Sequence, residues 1–225
     1  MHQKVDKTKI LIYVITFFTL STLNTISPKF FFFPKIDKIK ISGLSEENNL
    51  IMLKEFDYLK MHNIFFLIEE DFKKVVEKNN LVEDFYVIKQ YPTTLYIKLR
   101  KTNFLAKIIL DNENFVIGSN GKIIPYDSQD EQLPYLEGAP DSEEFLRFFN
   151  IVKKTNFKYT QIQKIFFFPS KRWDIKTKNG ILIRLPKENL DDALNLSYNL
   201  INDIRFINTK SIDLRVYNQI ILNEK

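Results

Sequence analysis

Seventeen consecutive uncharged residues, Ile10 to Ile26, divide this chain before any fold is considered. As a helix they extend about 26 Å, near the thin end of a bilayer core. Their polar groups are Ser, Thr and one Asn, apart from the Tyr13 hydroxyl, and Ser and Thr can bond back to carbonyls of their own helix. A buried core helix of this length shows a polar face, and this one has none. The run is therefore read as a membrane crossing. It is read as uncleaved: Lys4, Lys7 and Lys9 make a basic start, but Ser27-Pro28-Lys29-Phe30 offers no small-residue cleavage site. Lys29, Lys35, Lys38 and Lys40 place positive charge on the far side as well, so charge alone does not orient it. The reading is a tail at 1–9, a crossing at 10–27, and about 190 residues held on one side.

The chain beyond the crossing is rich enough in apolar residues to fold. Hydrophobic residues make up 44% of the whole sequence and aromatic residues 14%, which excludes a disordered tail. Cysteine is absent, so disulfides and thiolate metal sites are excluded. The formal net charge of +5 owes much to the lysines before the crossing. Beyond them, Lys alternates with Glu and Asp, and no continuous basic face with interleaved aromatics points to nucleic acid.

Periodicity after Lys35 predicts strand, helix, helix, strand, strand. Ile36, Ile39 and Ile41 form an extended run closed by Gly43, and Ser45-Glu46-Glu47 opens a helix. That helix is expected to turn Leu50, Leu53 and Phe56 inward and to end near His62-Asn63 with Asn63 as a left-handed cap. A second helix opens at Glu69-Glu70-Asp71 and buries Ile68, Phe72, Val75 and Val76. Two alternating strands come next, one around Phe85 to Gln90 and one from Leu95 to Arg100. From Phe104 onward the pattern is mostly β. Asn120-Gly121 and Asn179-Gly180 each lie between two strands and predict hairpins with type I′ turns. Helices are expected from Ser142, burying Phe145, Phe148, Phe149 and Val152, and from Asn189, burying Leu190, Ala193, Leu194, Ser197, Leu200, Ile201 and Ile204. Closing strands are expected at Ser211 to Tyr217 and Gln219 to Leu222.

The same residues yield no catalytic constellation. His2 and His62 are the only histidines, and neither belongs to a paired metal-ligand spacing. The carboxylate pairs Glu46-Glu47, Glu69-Glu70, Glu143-Glu144 and Asp191-Asp192 all fall in predicted first helical turns, where the helix dipole accounts for them. Gly118-Ser119-Asn120-Gly121 is followed by a strand and cannot cradle phosphate on a helix end. Trp173 is read as a core residue. The reading is therefore no enzyme, with no catalytic, cofactor-binding or metal-binding residue, no cofactor, no small-molecule substrate and no nucleic acid.

Several fragments in order resemble the FtsQ/DivIB family of bacterial cell division proteins. They are Ile39-x-Ile41-x-Gly43, Asn63-Ile64-Phe65, Gln90-Tyr91-Pro92-Thr93-Thr94-Leu95-Tyr96-Ile97, Asn120-Gly121-Lys122-Ile123-Ile124, Leu133-Pro134-Tyr135-Leu136-Glu137-Gly138, Arg172-Trp173 with Asn179-Gly180, and Ile212-Asp213-Leu214-Arg215. The resemblance implies an α+β protein: a membrane helix, a POTRA domain of β-α-α-β-β order at 35–102, and a β domain with two helices at 103–225. It further implies a non-enzymatic, single-pass scaffold of the divisome in the inner membrane at the septum. Its N-terminus would be cytoplasmic and its bulk periplasmic, linking early and late division proteins to septal peptidoglycan synthesis. The implied partners are the FtsB–FtsL pair, bound through the C-terminal strands at Asp213, Arg215, Val216, Tyr217, Asn218, Ile220, Ile221 and Leu222, with others engaged through the POTRA domain or membrane helix. The charge of Arg215 suits a partner carboxylate or an intramolecular ion pair equally. Two other classes are weighed against this one. A POTRA-type outer-membrane assembly factor needs a following barrel, and a membrane-tethered glycan-active envelope enzyme needs two carboxylates on facing loops.

Overall fold

Alternating isoleucines at Ile39 and Ile41 begin the first folded unit, and the chain is described here from a computed structural model at residues 7–22, 34–126, 132–216 and 218–224. Helix α1 (Lys7–Thr22) precedes that unit. The rest of the expected membrane run, and Tyr217 of the expected partner surface, lie outside the described residues. At 16 residues α1 is about 24 Å long. No helix among the described residues is long and apolar enough to cross a membrane.

The first unit is a three-stranded sheet with two helices. Strand β1 (Lys38–Ser42), helix α2 (Glu46–Glu55), a 3₁₀ turn (Asp57–Met61), helix α3 (Glu69–Lys78), and strands β2 (Val82–Gln90) and β3 (Thr94–Lys101) succeed one another. β3 lies in the centre, parallel to β1 and antiparallel to β2. Ser45 caps α2 by accepting from the Asn48 N–H, as its position before two glutamates predicts. Of the three residues expected inward, Phe56 is buried and Leu53 packs against the core, but Leu50 is 55% exposed; Met52 and Leu59 fill the interior against Leu95, Ile97 and Leu99. The helix also stops early: α2 gives way to 3₁₀ geometry after Glu55, so Asn63 does not cap it and its side chain accepts from the Phe65 N–H instead. In α3, Phe72 and Val76 are buried as expected, while Ile68 is exposed at the entry. Gly43 takes a positive φ of 113°, and a Cβ there would lie 1.7 Å from the Leu99 carbonyl oxygen.

The second unit is one nine-stranded sheet. Its strands are β4 (Phe104–Leu110), β5 (Glu113–Gly118), β6 (Ile123–Pro125), β7 (Tyr135–Glu137), β8 (Ile162–Phe167), β9 (Trp173–Thr177), β10 (Leu182–Arg184), β11 (Thr209–Asp213) and β12 (Ile221–Glu224). Their order is β12-β11-β10-β9-β8-β7-β4-β5-β6. Helix α4 (Ser142–Lys154) joins β7 to the parallel β8, and α5 (Leu190–Ile201) joins β10 to the parallel β11. Phe145, Phe148 and Val152 of α4 and Ala193, Leu194 and Leu200 of α5 share one core with Ile165, Ile175, Ile183 and Ile212, whereas Ile204, expected on the same stripe, is 84% exposed because α5 ends at Ile201. Trp173 stacks on Phe148 with ring centroids 4.4 Å apart, which makes it the core residue the sequence predicts.

Both Asn-Gly hairpins form, but not as type I′ turns. Only Gly121 and Gly180 adopt positive φ; each closes a three-residue loop of the type I plus bulge kind. The paired positive-φ geometry falls instead on Asp111 and Asn112, between β4 and β5. The Asn120-Gly121 tip also clasps the first unit. Asn120 donates to the Asn80 and Val82 carbonyls at 2.9 and 3.1 Å, and Lys122 donates to the carbonyls of Glu77 and Asn79 at the end of α3. Asn80 answers by donating to the Ile123 carbonyl at 2.9 Å.

Two variants test these contacts. Phe148→Ala removes the Trp173 stack from a fully buried site and should cost about 3–5 kcal/mol in chemical denaturation. Asn120→Ala with Lys122→Ala should raise hydrogen exchange selectively at Glu77–Val82 and leave exchange at β8 and β9 unchanged.

Candidate functional site

The sheet ends at β12, and that end is where the expected partner surface falls. β12 pairs antiparallel with β11 and has no neighbour on its other side among the described residues. Such a strand offers a row of backbone donors and acceptors to an incoming strand. The chain reaches this edge differently from expectation. β11 stops at Asp213 rather than continuing to Tyr217, and the edge strand is Ile221–Glu224 rather than Gln219–Leu222.

Asp213 causes the early stop. Its carboxylate accepts from the Arg215 N–H at 3.1 Å, from Arg215 Nε at 2.8 Å and from Arg215 Nη2 at 2.5 Å. This fork between residues two apart bends the chain out of the ladder, and Asn218 completes the reversal at φ 58°. Arg184 of β10 approaches the same carboxylate at 3.5 Å from the neighbouring strand. Of the two readings of Arg215, the intramolecular ion pair is therefore the one present, although its side chain stays 42% exposed. The guanidinium of Arg215 holds the Asp213 carboxyl down at about 2, against an ordinary 3.8, and the carboxylate in turn raises Arg215.

A groove of about 760 Å³ runs beside the edge. Its walls are the loop before α5, the first turns of α5, and the turn from Leu214 to Ile220. Of the sequence-predicted residues, Arg215, Val216, Asn218 and Ile220 line it. Val216, Ile220 and Ile221 are about half exposed, whereas Leu222 packs against the core. The opposite wall, with Pro186, Asp192 and Leu196, has no counterpart in the sequence reading. A hydrophobic stripe on α5 shows which residues face inward, but not that Leu196, at its margin, borders a groove.

The carboxylate pairs and His62 hold helix ends. Glu46-Glu47, Glu69-Glu70-Asp71, Glu143-Glu144 and Asp191-Asp192 all sit in first helical turns. His62 lies at the end of the 3₁₀ turn, with Nδ1 3.2 Å from the Tyr58 carbonyl.

Fold and site together define an α+β protein whose C-terminal sheet closes on an open edge beside an apolar groove. Residues 108–215 match the family described as cell division protein FtsQ/DivIB, C-terminal. The cell division protein FtsQ of Rickettsia bellii is 28% identical over 192 residues, covering 82% of this chain and 70% of that protein. FtsQ of Rickettsia typhi is 26% identical over 192 residues, covering 82% and 71%. FtsQ of Rhizobium meliloti is 18% identical over 163 residues, covering 72% and 53%. The major extracytoplasmic domain of DivIB from Geobacillus stearothermophilus superposes with a TM-score of 0.34 at 14% identity, over 42% of this chain and 86% of that one. Residues 108–215 thus resemble the FtsQ/DivIB C-terminal domain, and over 82% of its length the chain is similar to a cell division protein FtsQ.

The depressed Asp213 sets a pH dependence. A carboxylate held at about 2 contributes stability that is full above its ordinary 3.8 and is lost as pH falls toward 2. Thermal unfolding of Asp213→Asn should therefore lose part of the acid-side decline that the unaltered chain shows between about pH 4 and pH 2.

Proposed function

We propose that this chain is a non-enzymatic, single-pass scaffold of the division apparatus. In this reading it binds a coiled-coil membrane partner, the FtsB–FtsL pair of the family resemblance, by adding a partner strand to β12. The observation that carries the reading is the unpaired outer edge of Ile221–Glu224 beside a groove of about 760 Å³. Strand addition supplies affinity through main-chain hydrogen bonds, and side-chain pockets supply choice. Exposed Val216, Ile220 and Ile221 offer the apolar contacts, and the groove offers room for the segment that succeeds the added strand.

The membrane anchor belongs to the same reading. Every described side chain of α1 from Lys7 to Ser21 is exposed, including Ile10, Leu11, Ile12, Ile15, Phe17, Phe18 and Leu20. An apolar helix that packs against nothing in its own chain is stable in lipid rather than in water. The β-α-α-β-β unit between anchor and sheet is read as the POTRA domain, and the bulk of the chain as periplasmic. A tether then holds the edge strand where other single-pass proteins can reach it.

Successive prolines in β12 test the edge. Leu222→Pro and Asn223→Pro delete adjacent N–H groups, one directed at β11 and the other outward. The outward deletion should abolish co-purification of the FtsB–FtsL pair while leaving the unfolding midpoint nearly unchanged. Undiminished co-purification after removal of residues 220–225, in a chain that remains folded, would overturn the reading.

A further inference from the structure

The face of the nine-stranded sheet opposite α4 and α5 carries two rows of side chains that cross the strands, and they treat charge differently. One row runs Phe166, Asp174, Arg184, Asp213 from β8 to β11. Its charges are matched within the row and at its flanks: Asp174 is held by Arg172, and Asp213 by Arg184 and Arg215. The neighbouring row runs Lys107, Tyr135, Lys164, Lys176 from β4 through β7 and β8 to β9. It contains no carboxylate. Lys164 is paired by Glu137 from the row alongside, while Lys107 and Lys176 make no ion pair among the described residues.

Lys164 and Lys176 are direct cross-strand partners, about 5 Å apart at their backbones. Like charges at such positions destabilise a sheet. Edge strands use lysine to repel other sheets, but β8 and β9 are interior strands with neighbours on both sides, so that explanation does not apply. Lys107 is 9% exposed and lies over the Tyr135 ring at 5.0 Å, a cation drawn against an aromatic face instead of released to water. These lysines, with Lys178, surround a groove of about 550 Å³ whose apolar lining is Leu133, Tyr135 and Ile162.

We infer that this lysine row is a second docking surface, separate from the β12 edge, for an acidic protein segment that also carries aromatic or apolar side chains. Charge complementarity selects an acidic occupant: four lysines border the groove and one glutamate, Glu137, stands next to it. The half-exposed Tyr135 at the centre, with Leu133 beside it, selects a polypeptide over a bare polyanion. Lysine supplies point charges suited to scattered carboxylates, whereas the planar fork that grips phosphate is arginine's, and the arginines of this face are already engaged by Asp174 and Asp213. The Lys164–Lys176 repulsion is relieved when carboxylates lie across it, so the occupied surface is more stable than the bare one.

The test uses the full chain in neutral detergent and a random Glu/Tyr copolymer as probe, with inorganic polyphosphate as the competing anion. The copolymer should bind with an affinity that falls as salt rises, and Lys176→Glu should weaken it at least about tenfold. The same substitution places an opposite charge across from Lys164, so its unfolding midpoint should be equal to or above that of the unaltered chain. Binding that survives Lys176→Glu, or a lowered midpoint, would overturn the inference. Tighter binding of polyphosphate than of copolymer at the same lysines would replace the acidic segment with a general polyanion and overturn it too. So would copolymer binding seen only in a D127N/D130N/E131Q chain, because the groove would then be reserved for the chain's own acidic stretch at 127–131, which carries Asp127, Asp130 and Glu131. Removal of residues 220–225 should leave copolymer binding intact, which separates this surface from the edge strand.

Discussion

Coverage of the nine-stranded sheet on one face only is the constraint on which the rest of the C-terminal unit depends. Both helices of that unit pack on the same side, anchored by Phe145, Phe148 and Leu194 against Ile165, Ile175 and Ile183. The Phe148–Trp173 stack places the largest apolar rings at the centre of that contact. With the helices used there, the opposite face carries polar side chains, and among the described residues the outer strand β12 has no neighbour on its other side.

The charged face shows how a sheet manages buried polarity. Asp174 and Asp213 are nearly fully buried, yet each is surrounded by guanidinium groups, so the cost of desolvation is offset by charge-assisted hydrogen bonds. The fork of Arg215 on Asp213 has a second effect. It ends β11 and starts the reversal that delivers β12 to the sheet edge, so an electrostatic contact shapes the candidate binding surface. At the other end of the unit, the Asn120-Gly121 tip uses side-chain amides and Lys122 to satisfy carbonyls at the end of α3 and the start of β2. The two units are joined there by polar contacts of fixed geometry, and their hydrophobic cores remain separate.

Much of the architecture was legible before any coordinates. The β-α-α-β-β order, the cap at Ser45, most of the stripe on α5 and the core position of Trp173 all derive from local rules. The errors lie where local signals compete with packing. Leu50 fits a helical stripe, yet it is exposed because the side of α2 that packs on the sheet carries Met52 instead. Asn-Gly signalled the hairpins but not their turn type, because three-residue loops need a positive φ only at the glycine. Val216 and Asn218 continue a plausible strand on paper; the Asp213–Arg215 fork takes them out of it.

The sequence by itself determined the class of the chain, the boundaries of most elements and the family to which it is related. Those properties rest on residue type and short-range periodicity, which act within a few turns or a single strand. Only the tertiary structure decided which strands are neighbours. The parallel pairings of β4 with β7, β7 with β8, and β10 with β11 bring together residues far apart in the chain, and no local pattern encodes them. Lys107, Lys164 and Lys176 therefore look like scattered surface charges until the sheet aligns them. Pairing across a sheet is set by the burial of whole faces, and that quantity exists only once the chain has folded.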